Sequence, residues 1–215
     1  MNSKLEYLNS LYCNEEKIFE SIDKSIEESG LRAINIDKFE GKILKLLIQL
    51  SNAKKIIEVG TLAGYSTMWL ASALGDNNGL VYSFEAEKKA FDVAIKNINL
   101  SKYKNKIKLI YGHAHTELIN ISNEAPFDAI FIDAEKRGYV KYLDWAEANI
   151  KKGGLIIADN TFLNDAVFDE RKITEKNKKQ TATMKDFNSR LADKSKYESV
   201  ILPTDEGLSV AIKKF

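Results

Sequence analysis

Six side chains, Glu58, Glu85, Asp133, Lys136, Asp159 and Asn160, stand in or just beyond short apolar runs. Asp133 ends the run Asp128-Ala129-Ile130-Phe131-Ile132. Asp159 and Asn160 end Gly153-Gly154-Leu155-Ile156-Ile157-Ala158. Runs this short and this rich in β-branched residues read as strands buried on both faces. If the two are sheet neighbours, they lie ~4.8 Å apart. Their C-terminal ends then bring two carboxylates and an amide to one point, the edge where open α/β sheets bind ligands. Carboxylates that close repel unless one is protonated or a cation sits between them. Two carboxylates and an amide carbonyl make an all-oxygen set for Mg²⁺, or for Mn²⁺ or Ca²⁺, with positions left for water and substrate. The alternative is that Asp133 and Asp159 are helix N-caps. Lys136 follows one turn after Asp133, where its amine could reach a substrate hydroxyl.

The stretch Ile56-Ile57-Glu58-Val59-Gly60-Thr61-Leu62-Ala63-Gly64-Tyr65-Ser66 reads as strand, glycine turn and helix. That geometry aims backbone N–H groups at a ligand, and glycine lets the backbone come close. The spacing is not the G-x-G-x-x-G of dinucleotide sites, and the carboxylate of Glu58 would repel phosphate. Leu80-Val81-Tyr82-Ser83-Phe84 reads as the next strand and ends on Glu85, where an acidic residue bonds ribose hydroxyls in nucleotide-type α/β folds. A ribose-bearing ligand with a cationic part and no diphosphate describes S-adenosyl-L-methionine better than NAD. The plainer reading is an ordinary strand–helix turn with Glu58 as a surface charge.

The elements that must position these residues alternate along the chain. Strands are expected at 80–84, 107–111, 128–132, 155–158, 199–202 and 208–213, besides the one ending at Val59. Helices are expected at 87–99, 115–120, 137–150 and 180–193, besides the one after Gly64. Such alternation means a parallel sheet covered on both faces. Only Pro203 to Gly207 join the last two strands, too few residues for a crossover, so the final strand must run antiparallel. Before the first strand, apolar positions from Leu5 to Ile26 predict one long or broken amphipathic helix, stopped by Gly30. Asp37-x-x-Glu40 resembles a capping box opening a helix through Leu50.

The 215 residues suffice for one domain with a full core. A net charge of +1 gives no global nucleic-acid footprint. The single cysteine, Cys13, allows no intrachain disulfide and fits a reducing, cytoplasmic setting. No apolar run approaches membrane-spanning length, and the first residues do not read as a signal peptide. Residues 171–179 hold five basic residues and one acid, either a solvated loop or a landing site for an anionic substrate. His113 and His115 read as loop residues, and Tyr139, Tyr142 and Trp145 as helix packing, with Tyr139 near enough to line the site.

The four ordered motifs Glu58-Val-Gly60-Thr61-x-x-Gly64-Tyr65-Ser66, Phe127-Asp128-x-x-Phe-Ile-Asp133-Ala-Glu135-Lys136, Gly153-Gly154-Leu-x-x-x-Asp159-Asn160 and Leu202-Pro-x-Asp-x-Gly207-Leu208 resemble those of class I S-adenosylmethionine-dependent O-methyltransferases of the catechol and caffeoyl-CoA type. The resemblance runs from about Ile36 onward. It implies a Rossmann-like, doubly wound seven-stranded α/β sheet whose last strand is antiparallel, in a single domain over 1–215 with residues 1–35 as a helical extension. It also implies that Gly60 and Thr61 contact the cofactor through backbone, that Glu58 and Ser66 lie near its methionine part, that Glu85 bonds its ribose and that Ala114 borders adenine. Ile36 would touch it from the segment before the first strand, and Asp133 would sit beside it. Asp133, Asp159 and Asn160 match the divalent metal ligands and Lys136 the general base. Many members are homodimers.

Two positions depart from the pattern: Glu135 where the family often has Asp, and Gly138 where it often has Asn. Both border the acceptor side. The expected acceptor is a catechol-like or phenolic small molecule, with no membrane involved. Three alternatives stand beside it: tRNA hydroxyuridine as acceptor at the same site, a nicotinamide oxidoreductase, and a non-catalytic cofactor-binding protein.

Overall fold

The computed structural model describes residues 3–13, 16–76 and 78–215. Seven strands form one sheet in the order β3-β2-β1-β4-β5-β7-β6, the doubly wound, Rossmann-like arrangement expected. The strands are β1 (Lys55–Val59), β2 (Leu80–Glu85), β3 (Ile107–Tyr111), β4 (Phe127–Ile132), β5 (Ile150–Ala158), β6 (Tyr197–Leu202) and β7 (Leu208–Lys213). β2 pairs parallel with β3 and β4 parallel with β5, whereas β7 is antiparallel to both β5 and β6. Among the described residues no helix is long and apolar enough to cross a membrane. The chain forms two compact units, Met1–Ile56 with Gly60–His113, and Ile57–Val59 with Ala114–Phe215.

In the first unit the helix expected to be long or broken is broken into two, α1 (Lys4–Tyr12) and α2 (Lys17–Ser29). α1 opens with a capping box in which Ser3 and Glu6 bond each other's backbone, and closes where the Cys13 N–H donates to the Asn9 carbonyl. α2 buries Phe19, Ile22 and Ile26 and ends at Gly30, whose φ of 65° is the left-handed cap glycine tolerates. α3 (Lys38–Ser51) starts with the expected Asp37–Glu40 capping box. α4 (Tyr65–Ala73) is buried at every residue, and Phe19 packs on its Trp69 and Tyr65 with ring centroids 4.6 and 5.3 Å apart. A Cβ at Gly41 would lie 2.2 Å from the Trp69 indole nitrogen, so α3 meets that ring only with glycine there. α5 (Lys88–Leu100) completes the unit, its Asn97 donating to the Ala63 carbonyl at 2.9 Å.

In the second unit are α6 (Ala114–Asn120), α7 (Tyr139–Asn149) and α8 (Lys178–Leu191). Buried Tyr139, Tyr142, Leu143 and Ala146 fix which face of α7 meets the sheet. β5 begins five residues before the expected strand. Its first part, Lys151-Lys152-Gly153, is exposed, and the register with β4 jumps from Phe127↔Ile150 to Ala129↔Leu155. Glu147 of α7 accepts the Tyr197 hydroxyl at 2.7 Å and pairs with Arg190 of α8 at 3.1 Å, fastening α7, α8 and β6 together.

Candidate active site

The glycine turn of the first unit is a tight, side-chain-braced loop. The Gly60 N–H donates to the Phe84 carbonyl at 3.1 Å, and the Gly64 N–H to the Thr61 carbonyl at 2.8 Å. Gly60 and Gly64 have φ of 99° and 93°, which side chains rarely tolerate. Thr61 is buried and its hydroxyl meets that of Ser83 on β2 at 2.5 Å. Glu85, at the end of β2, accepts from the Leu62 N–H and the Glu87 N–H, both at 2.8 Å. Each carboxylate oxygen is therefore fixed by backbone, and the turn and the acid hold one another in register. Ser66 lies buried in the first turn of α4, and Ile36 is buried in the segment before α3.

The second unit contains the other candidates. Glu58 in β1 is fully buried, not the surface charge of the plainer reading. Ala114 is the first residue of α6 and buried. β4 and β5 are neighbours with Ile132 opposite Ala158, so Asp133 and Asp159 follow a matched pair. The Asp133 N–H donates to the Val59 carbonyl at 2.9 Å and the Asp159 N–H to that of Ile132 at 3.0 Å. Neither aspartate caps a helix: after Asp133 the N-caps are Glu135, before the 3-10 turn Lys136–Gly138, and Gly138, before α7, and after Asp159 the next N-cap is Asp169.

Lys136 projects back from that turn into oxygens. Its Nζ donates to Asn160 Oδ1 at 2.6 Å, to the Tyr139 hydroxyl at 2.7 Å and to Asp133 Oδ1 at 3.3 Å. Asn160 reaches it through a left-handed backbone, φ 55°, which asparagine tolerates better than most residues. The same residue donates its backbone N–H to Asp159 Oδ1 at 2.6 Å and its Nδ2 to Asp159 Oδ2 at 3.3 Å. Asp133, Lys136, Tyr139 and Asn160 are thus one cluster, and buried Asp159 joins it through Asn160. The Tyr139 hydroxyl donates to the Asp159 carbonyl at 2.8 Å. Burial, and then the negative charges of Asp133 and Asp159, push its pKa well above the usual phenol value, so it stays protonated.

An ammonium among three oxygens shows that the cluster stabilises positive charge. Hard oxygen donors of this kind also fit a small divalent cation, with Asp133 and Asn160 directly available and Asp159 one residue away. Tyr139 was expected to pack within its helix, near enough to line the site. The signal was its place three residues after Lys136, one helical turn along.

Other expectations are corrected or refined. His115 sits in the first turn of α6 rather than in a loop. Of the basic residues in 171–179, Arg171 pairs with Asp169 at 2.8 Å, Lys172 with Asp165 at 3.0 Å and Lys178 with Glu175 at 3.9 Å. Much of that charge is therefore neutralised locally.

Comparison with known proteins identifies the family. The family model described as O-methyltransferase matches residues 9–214. A catechol O-methyltransferase of Niastella koreensis is 40% identical over 166 residues, 76% of this chain and 75% of that protein. A caffeoyl-CoA O-methyltransferase of Populus kitakamiensis is 27% identical over 211 residues, 95% of this chain and 89% of the relative. The crystal structure of the O-methyltransferase from Bacillus cereus in complex with SAH superposes with a TM-score of 0.89 at 30% identity, covering 97% of this chain and 96% of that one. With a family model matched over nearly its whole length and a relative 40% identical, the chain belongs to the O-methyltransferase family.

Proposed function

We propose that this enzyme moves a methyl group from S-adenosyl-L-methionine to a hydroxyl of a catechol-like or phenolic small molecule, with a divalent cation held by Asp133, Asp159 and Asn160. The observation that carries the reading is the Lys136 ammonium lodged between Asn160 and Asp133. A lysine so placed has both a proton-transfer role and oxygen neighbours that suit a metal. The SAH bound to the Bacillus cereus O-methyltransferase and the catechol in the name of the Niastella koreensis enzyme support the choice of donor and acceptor.

On the donor side, Glu85 orients the ribose, held by the Leu62 and Glu87 N–H groups. Gly60 and Thr61 offer backbone, Ile36 and Ala114 apolar surface, and Ser66, Glu58 and Asp133 polar groups toward the methionine part. The donor supplies a sulfonium-bound methyl group, which needs an aligned nucleophile and little else, so positioning supplies much of the acceleration. When bound, a hard divalent cation supplies fixed charge that lowers a hydroxyl's pKa; Mg²⁺ is the proposed ion, and Mn²⁺ or Ca²⁺ share its ligand chemistry. Lys136 acts as the base only as the neutral amine, after its ammonium has released a proton to solvent; it then takes the acceptor's proton at Nζ. Tyr139 keeps its own proton and steers that nitrogen through the 2.7 Å contact.

The match over 9–214 supports reading both units as parts of one methyltransferase domain, with residues 1–35 as a helical extension. A homodimer and a cytoplasmic setting belong to the same proposal. Local pairing of Arg171, Lys172 and Lys178 favours a small acceptor over tRNA. The test is incubation with methyl-labelled donor, Mg²⁺ and, separately, simple catechols and bulk tRNA. Label in a catechol methyl ether is expected. Label in tRNA alone, or in neither, sinks the acceptor assignment.

A further inference from the structure

Glu135 and Lys136 are chain neighbours, and each is fastened to a different tyrosine of α7. Lys136 Nζ meets the Tyr139 hydroxyl, and Glu135 Oε1 accepts the Tyr142 hydroxyl at 2.8 Å. The two tyrosines are three residues apart, on one face of the helix, and both are almost wholly buried. Glu135 itself is exposed, so burial does not fix its carboxylate; the hydrogen bond does. Among the described residues no ion pair joins Glu135 to Lys136, and the ammonium meets Asp133, Tyr139 and Asn160 instead.

Gly138 gives a second, independent observation. Its φ of −83° is ordinary backbone that any residue adopts, so conformation does not require glycine. Space does: a Cβ there would lie 2.4 Å from Glu135 Oε1 and 2.5 Å from the Tyr142 ring. The Glu135–Tyr142 contact passes over this bare position. The Gly138 N–H closes the turn on the Glu135 carbonyl at 3.0 Å.

We propose that Tyr142, acting through Glu135 over Gly138, is a positioning residue that holds the turn so that Lys136 meets the oxygen cluster. This rests on the catalytic role proposed for Lys136. Tyr142→Phe removes one oxygen and leaves the buried ring. It should lower kcat about tenfold, the loss of one hydrogen bond's worth of orientation, with the donor's KM unchanged. In ligand-free protein, reductive methylation of Lys136, followed by peptide mass spectrometry, should quicken several-fold while the other lysines keep their rates. Gly138→Ala should do the same, and the double variant should be no worse than Gly138→Ala alone, because both break one contact. A lower melting temperature with unchanged kcat and unchanged Lys136 labelling would mean a merely structural tyrosine and overturn the proposal. Lys136→Met, assayed alongside, separates the two ideas. If it retains turnover, the catalytic role of Lys136 fails, and the labelling rates still decide whether Tyr142 positions it.

Discussion

Lys136 Nζ lies closer to the neutral amide oxygen of Asn160, at 2.6 Å, than to the carboxylate of Asp133, at 3.3 Å. The lysine is therefore aimed by the end of β5 as much as paired with the end of β4. Two strands must be in register for one side chain to be placed, which makes the cluster sensitive to small changes at either strand end.

Replacing Lys136 with Met keeps the length of the side chain and removes the exchangeable proton. Turnover should fall by roughly 10²–10⁴, the usual range for a general base. Donor affinity, measured by calorimetry, should stay within about twofold. Comparable turnover would return Lys136 to the role of a counter-ion.

Exhaustive chelation should abolish methyl transfer, and added Mg²⁺ should restore it. Asp159→Ala should behave like chelation, whereas Asp133→Ala should also weaken the donor, beside which it is proposed to sit. Full turnover without any divalent ion would leave Asp133, Asp159 and Asn160 as a scaffold for Lys136 alone.

Glu85→Ala should weaken donor binding by roughly 1.5–3 kcal/mol if its carboxylate makes charged hydrogen bonds to the ribose. The same variant also frees the Leu62 N–H. Glu85→Gln, which retains an acceptor oxygen, tests the charge separately. An unchanged calorimetric affinity in both variants would remove Glu85 from the donor site.

Stability should depend on pH through Glu147. Burial alone would raise its carboxyl, but hydrogen bonds from Tyr197 and Arg190, with the charges of Arg190 and Lys196, leave it below its ordinary value near 4.5. A depressed folded pKa means stability that is present above 4.5 and lost as the pH falls through the folded value. Glu147→Gln should therefore cost about 1 kcal/mol at neutral pH, after discounting for solvent screening. The gap from the parent protein should close under acid. Urea unfolding at pH 7 and pH 3.5 provides the comparison; a gap that widens on acidification contradicts the assignment.

The strands were legible because buried runs such as Ile130-Phe131-Ile132 and Ile156-Ile157-Ala158 admit few other readings. The start of β5 was not, because Ile150 pairs with Phe127 while Lys151-Lys152-Gly153 lie in the register shift and face solvent. The break between α1 and α2 was left open for a different reason: Leu5, Leu8 and Leu11 stay nearly in phase with Phe19, Ile22 and Ile26 at a 3.6-residue period. The carboxylates of the site could be picked out because each stands in or just after a strand. Tyr139 and Tyr142 could be recognised as helix packing, but not as hydroxyls turned back onto Lys136 and Glu135. That depends on the angle at which α7 leaves the turn, which pattern does not encode.

The position of β7 between β5 and β6 has a kinetic consequence. β6 comes first along the chain, yet its sheet neighbour is β7. Until β7 arrives, β6 has nothing in the sheet to pair with. Leu202 and Leu208 face one another across a turn of only a few residues, and short hairpins close within microseconds. Pairing Leu155 with Ile212 must wait for a much longer loop to close. The two strands should therefore form a hairpin early and dock onto β5 as one piece, so that protection from hydrogen exchange appears in both together.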